Sequence, residues 1–499
     1  MKIPRVVHCL AAAGLCAIAT VASAQDPVDE LRLELERLKA EYELRIHTVE
    51  QKLQALEDAP AETAAEPVQP SVEERLAVLE ETSERATLDF GFFGYLRAGY
   101  GGDGKGNTQS TFQAPNSGAK YRLGNEAETY MEAGFMNRTP PDQIAGNDTS
   151  YETAIRLAYF TPLADNNTFD TTTSLREAYA NVGGIVPSDP GMVFWAGERF
   201  YSRYDVHMND FYYRDMSGYG GGVEDITLGD DWAKLSVAWL GGSIDELDAN
   251  GVAFAEPEGR FSKDSLDIGL YDIAVPGGTL AVFGTYSSFE GDTFIDEEGR
   301  QIVLDDSDGF AASLIHDSDP REYLHNRFVL QYGDGAAYNF RSQLFAPAGL
   351  DRSDLTQVDV DELRTWRVLN QLALNGDSRW SMLSVMLYEE NDFGTPQLDR
   401  VRWFSAGVRP AYHFTDHVSL ALEAGYDHTD QDDGLSGSVF KLTLAPQITP
   451  KPLAYSRPSI RGYITYAWWD DEFKGSVGAP SFEDDTDGFA AGIQVETWW

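Results

Sequence analysis

From Leu88 onward the chain is written with a period of two, and this constrains its fold more than any other feature. In LDFGFFGYLRAGY, Leu88, Phe90, Phe92, Leu96, Ala98 and Tyr100 share one parity, and Asp89, Tyr95 and Arg97 the other. In YRLGNEAETYMEAGF, Tyr121, Leu123, Ala127, Met131 and Phe135 make one face, and Arg122, Glu126, Glu128, Tyr130 and Glu132 the opposite one. Segments of roughly ten residues with one apolar face, separated by Gly, Asp, Asn and Ser clusters, are the pattern of strands in a membrane barrel. A soluble sandwich alternates as well. About 400 residues of sandwich would divide into several domains, yet no linker follows residue 87. Mean hydropathy is −0.35, which is compatible with a barrel because lipid-facing and lumen-facing residues average out.

The end of the chain fits the same reading. In DGFAAGIQVETWW, Phe489, Ala491, Ile493, Val495, Thr497 and Trp499 share a face, while Gln494, Glu496 and Trp498 share the other. Two tryptophans at a free terminus make sense on a closing strand, with Trp499 in a lipid-side aromatic girdle and Trp498 pointing into the lumen. In VRWFSAGVRPAY, Ala406, Val408 and Tyr412 set the lipid face, which places Trp403 and Arg409 inside and Phe404 outside.

Three segments precede the alternating region. Residues 1–24 read as a secretory signal peptide: Lys2 and Arg5, an apolar run, then Ala22-Ser23-Ala24. Both cysteines, Cys9 and Cys16, lie there, so the mature chain is expected without disulfides or thiol chemistry. Within residues 25–58, Leu31, Leu35, Leu38, Tyr42, Ile46, Val49, Leu53 and Leu56 form a heptad-like seam with one extra step of four at Tyr42. This predicts an α-helical coiled coil with a local stutter, or else one amphipathic helix docked on the barrel. Residues 59–87 are a linker with Pro60, Pro67 and Pro70, followed by a short helix, VEERLAVLEE. Loss of Lys2 and Arg5 moves the formal net charge from −43 to −45, which repels nucleic acid.

Three long stretches resemble the maltoporin family of sugar-specific outer-membrane porins: FGYLRAGY with KYRLGNEAETY, WAGERFYSRYDVHMNDFYYRDMSG, and SRPSIRGYITYAWWD with the terminal ETWW. The resemblance spans residues 90–499 and is loose between about 230 and 395. It implies an all-β transmembrane barrel of 18 antiparallel strands at residues 88–499, assembled as a homotrimer and narrowed by an inward-folded loop. It also implies an aromatic slide at Tyr95, Tyr130, Trp403 and Trp498, with Phe169 reaching in from a neighbouring subunit. Arg203, Asp205 and Asp210 would meet sugar hydroxyls, Tyr212 would restrict the channel, and Asp215, Arg97, Arg122, Glu132 and Arg176 would complete a polar track. Retention of Arg203, Tyr212 and Asp215 favours a maltodextrin-like substrate. A further slide aromatic is expected in DSDGFAASL, where the match falls on Ala312 and Phe310 stands two positions away. Glu198 and Arg214 replace Lys and Trp of the family pattern, and Thr111 and Ala127 replace its cysteine pair.

The chemistry of such a slide follows from the sugar. Aromatic faces cover the apolar faces of a glucose ring while Arg, Asp and Glu exchange hydrogen bonds with its hydroxyls. Expected partners are therefore an oligosaccharide, membrane lipid and lipopolysaccharide, two further copies of the chain, and, through a periplasmic coil, peptidoglycan or a periplasmic protein. No cofactor is implied. Asp205, His207, Asp210 and Asp215 lack compact metal-ligand spacing, and no nucleophile–base arrangement stands out. A general porin and an envelope tether are the competing functions.

Overall fold

The alternation becomes strands of 7 to 16 residues, eighteen of which close into one antiparallel barrel. The computed structural model describes residues 89–499 apart from 140–148, 163–171, 245–260, 292, 296–300, 304, 322, 344–358, 376–378, 396–397 and 433. The expected signal peptide, coiled coil and linker lie outside the described residues. Closure is made by the two ends of the barrel sequence: strand Asp89–Gly102 pairs with Thr129–Thr139 on one side and with Asp487–Trp498 on the other. Gly94 and Trp499 exchange backbone hydrogen bonds of 3.0 and 3.2 Å, so the chain end is tied into the ring and no edge is left open. A Cβ at position 94 would stand 2.7 Å from the Trp499 ring, and glycine permits the approach.

The barrel is apolar outside and polar inside. Leu266, Ile268, Leu330, Leu422, Leu442, Ile464 and Ile493 are exposed on the outer face. Aromatic rings gather at its two rims, as in Phe440–Trp468 (5.4 Å) near the long loops and Phe92–Trp499 (5.3 Å) near the short turns. Inward-facing residues instead satisfy one another, as in Ser265–Ser287 (2.8 Å) and Thr443–Thr465 (2.9 Å). This inversion, with aromatic girdles bounding an aliphatic band, is what an outer-membrane barrel requires.

Two expectations are corrected. The strand read from Tyr121 begins only at Thr129. Gly124 at φ +67 and the hydrogen bond from Asn125 N to Arg122 O (2.9 Å) turn the chain before it. Tyr121, Leu123 and Ala127 are consequently buried inside the barrel, with the Tyr121 hydroxyl 2.8 Å from Ser405 Oγ. Their parity reflected a loop packed on the inner wall. In DSDGFAASL, Phe310 and Ala312 face outward; Phe310 is 62% exposed and packs on Tyr286 at 5.0 Å. The strand register pairs Phe310 with Tyr286, and the inward ring of that neighbourhood is Phe283. Phe283 is buried under Tyr204 and the Arg214 guanidinium, so no free slide aromatic stands there.

A loop over residues 200–217 folds into the lumen and carries a short hairpin, Arg203–Val206 with Phe211–Asp215. Its Val206, Met208, Phe211 and Tyr213 pack against inward-facing Phe283, Ile315, Val329, Leu369, Leu383, Val385, Leu387 and Trp403. Apolar side chains on a water-filled wall are costly, at about 1.5–3 kcal/mol for a fully buried residue of this size, so the covered wall and the loop stabilise each other. The opposite wall, built from the first strands and the last, is left open to the lumen.

Candidate functional site

Between that loop and the open wall, most of the residues expected for the site converge. Tyr95 and Tyr130 stand on adjacent strands with ring centroids 6.1 Å apart. Arg97 lies over the Tyr130 ring at 5.1 Å and Arg122 over Tyr95 at 6.0 Å. Trp498 is directly opposite Tyr95 in the strand register, is 38% exposed, and carries the Arg457 guanidinium 4.2 Å from its ring centre. Alternation thus places all three rings on one inner surface.

The charged residues pair around this line. Arg97 reaches Glu128 (2.8 Å) and Asp210 (3.4 Å), and Arg122 reaches Glu126 (2.9 Å), Glu496 (3.4 Å) and Asp210 (3.8 Å). Asp210, at the hairpin turn with φ +57, therefore bridges two arginines of the opposite wall. Glu132 accepts from the Tyr130 hydroxyl (2.6 Å) and from Arg156 (2.7 Å). Arg203 is stacked between Phe200 and Tyr212, each at 4.0 Å, and lies 3.3 Å from Asp215. Arg176 owes its position to a register shift at Arg156/Leu157: Glu177 faces Arg156 and Leu175 faces Leu157, leaving Arg176 as the extra residue. Its guanidinium lies 5.5 Å from the Phe200 ring.

Within the loop the two carboxylates differ. Burial alone would raise Asp210, but Arg122 and Arg97 outweigh it and hold the carboxyl below its ordinary range. Burial raises Asp205, against only partial opposition from His207. Burial also pushes the Tyr212 hydroxyl up to about 12, so it remains a hydrogen-bond donor.

Trp403 faces inward as its parity requires but is only 1% exposed. Phe211 meets it edge-on at 5.1 Å, and its Nε1 donates to Asp427 at 3.0 Å. Its ring anchors the loop and presents no free face to the lumen. Phe169 lies outside the described residues. Among the described residues no group of three or more His, Cys, Asp or Glu is arranged to hold a metal.

Other residues of the site were not singled out from the sequence. Phe160 is the cross-strand partner of Tyr130, shares its inward face and is 37% exposed; the alternation in SYETAIRLAYFT carries that information. Glu496 accepts from the Tyr95 hydroxyl (3.1 Å), Arg457 (2.7 Å) and Arg461 (3.0 Å). Arg457 belongs to a turn, where strand parity says nothing about direction.

Solved porins resemble this chain at low identity. OmpT of Vibrio cholerae, in its trimer form, is 9% identical, with coverage of 82% of this chain and 99% of that one and a TM-score of 0.37. Salmonella typhi OmpF, in complex with daunomycin, is 9% identical over 83% and 98%, with a TM-score of 0.38. Acinetobacter baumannii OccAB4 is 10% identical over 82% and 98%, with a TM-score of 0.40. The model of the LamB porin family matches residues 90–499, from the second residue of the first barrel strand to the terminal tryptophan. The chain therefore belongs to the LamB porin family and is an outer-membrane β-barrel porin.

Proposed function

We propose that this porin mediates passive, binding-facilitated diffusion of maltodextrin-like oligosaccharides, working as a homotrimer. The observation that carries the reading is the line of Phe160, Tyr130, Tyr95 and Trp498 on the open wall, faced by Arg203, Asp205, Asp210 and Tyr212 on the loop. Such a surface suits a chain of pyranose rings: aromatic faces take the apolar ring faces, and fixed charges take the hydroxyls. Several weak stations in a row allow a sugar to enter and still leave. With Trp403 covered and no free ring near Ala312, stacking is confined to the open wall.

A trimer is supported by the outer face of the strands between Thr129 and Arg199. There Ala178, Ala180 and Ala196 line a hollow of about 510 Å³ bordered by Phe90, Phe135 and Ile155. Asn137 Oδ1 is buried beside it without a hydrogen-bond partner among the described residues. Small residues and a polar group suit a packed protein contact better than lipid chains.

The test is single-channel conductance of the purified protein with a panel of sugars. Linear glucose oligomers should block the ion current with an affinity that rises with chain length. Current that no soluble oligosaccharide blocks would instead identify a general porin with incidental aromatics.

A further inference from the structure

The connection between strands Ser436–Ile448 and Ser459–Trp469 lies at the short-turn rim yet runs over residues 449–458, where the turn after Val275 needs only residues 276–277. It does not cross that rim directly. Ala454 N donates to Asn375 Oδ1 at 2.7 Å, on a strand separated from it by three others. The turn is braced internally by Lys451 N to Ser456 Oγ (2.9 Å) and Arg457 to Ser456 O (2.9 Å). At its far end Arg457 donates to Glu496 (2.7 Å) and to His207 Nε2 (2.8 Å), joining the turn to the last strand and to the tip of the constriction loop.

This bracing holds one large ring without covering it. Tyr455 is 39% exposed. Its ring meets His207 edge-on at 5.7 Å, and His207 meets Trp498 edge-on at 5.4 Å. The aromatic line of the open wall therefore continues past Trp498 onto the turn. Asp205, Arg409, Arg457 and Arg327 are near enough for their charges to act on the Tyr455 hydroxyl. An uncovered aromatic face surrounded by carboxylate and guanidinium groups has the composition that binds a pyranose ring.

We propose that Tyr455, held by the braced turn, is a further sugar-binding position at the inner mouth, taking the leading ring of an oligosaccharide after it passes Trp498. This rests on the sugar-porin reading. A chain long enough to touch both rings gains from Tyr455, whereas a short one already held at Trp498 and Tyr95 gains little. Sugar arriving from the inner side meets Tyr455 first.

The experiment is current block of reconstituted wild-type, Tyr455→Ala and Tyr455→Trp protein by maltotriose and maltohexaose, added to each side in turn. Tyr455→Ala should keep wild-type ion conductance and lose about three- to tenfold in maltohexaose affinity, the loss falling mainly on the association rate from the inner side. Maltotriose block should change less than twofold. Tyr455→Trp, which enlarges the platform, should raise the inner-side association rate and covers the case in which Tyr455→Ala does not assemble. Unchanged maltohexaose kinetics in the assembled variants would overturn the proposal. So would equal losses from both sides accompanied by altered ion conductance, which mark a structural role. Absence of sugar block in the wild type would instead refute the broader sugar-porin reading.

Discussion

Trp498 and Trp499 are chemically identical neighbours with opposite surroundings. Trp498 carries Arg457 and His207 against its ring on the lumen side; Trp499 packs on Phe92 on the outer face and closes the backbone ring with Gly94. Trp498→Ala should weaken sugar block about three- to tenfold in normally assembled protein, the value of one stacking contact. Trp499→Ala should chiefly lower the yield of assembled barrel. Equal losses of sugar affinity in assembled protein would contradict the opposite facing. The two loop carboxylates make a second contrast. Asp205 is raised by burial and Asp210 is held low by Arg122 and Arg97. On acidification Asp205 takes up its proton first, above the ordinary carboxylate range, while Asp210 stays charged. Sugar block should therefore begin to change in mildly acidic solution. Asp205→Asn should remove that step and Asp210→Asn should leave it; the same profile in both variants would refute the assignment. Parity made the side of Tyr95, Tyr130, Trp403 and Trp498 legible in the sequence, because a strand offers only two sides. It could not show that Phe211 covers Trp403, since that contact joins residues brought together only by the folded loop.

The barrel strands were legible because half of each faces lipid and must be apolar. The inward-folded elements were not, because a loop packed on a wall borrows the alternation of a strand. That is why Tyr121, Leu123 and Ala127 read as lipid-facing although Gly124 turns the chain within them. The constriction loop shows how strongly such an element is held. Arg214, which stands where the family pattern has Trp, is fully buried and donates to Asp267 (2.5 Å) and Ser202 (2.9 Å), with Phe283 beneath its guanidinium. Arg367 donates to Glu389 (2.5 Å) and to Tyr213 O (2.8 Å) on the far side of the hairpin. Removing one partner of a buried pair leaves an uncompensated charge, typically at a cost of about 3–5 kcal/mol. Arg214→Ala should thus loosen the loop, raise open-channel noise and conductance, and weaken sugar block while the barrel still forms. Arg214→Met combined with Asp267→Leu, an apolar replacement of both partners, should return the noise toward wild type. A quiet channel with unchanged conductance in Arg214→Ala would show that the loop is held by its apolar contacts alone.

At the scale of the whole molecule, the barrel carries its own closure and its own constriction. The first and last strands pair directly, and every lumenal contact described above lies within residues 89–499. The sequence pattern at residues 25–58 belongs to a different kind of object, a seam that associates helices, set apart by a linker containing Pro60, Pro67 and Pro70. Its side chains have no role in the charge pairs around Glu496 and Asp210 or in the aromatic line that ends at Tyr455. Deleting residues 28–58 should therefore leave both ion conductance and maltodextrin block unchanged in assembled trimers. What the deletion should lower is trimer yield, or attachment to peptidoglycan or a periplasmic partner, because these depend on association through the seam. The measurement compares block affinity on reconstituted trimers with and without the segment, at matched trimer content. A large change in block affinity would mean that the segment gates or lines the pore. Unchanged block with reduced envelope attachment would give the two regions separate tasks, transport in the barrel and anchoring in the coil.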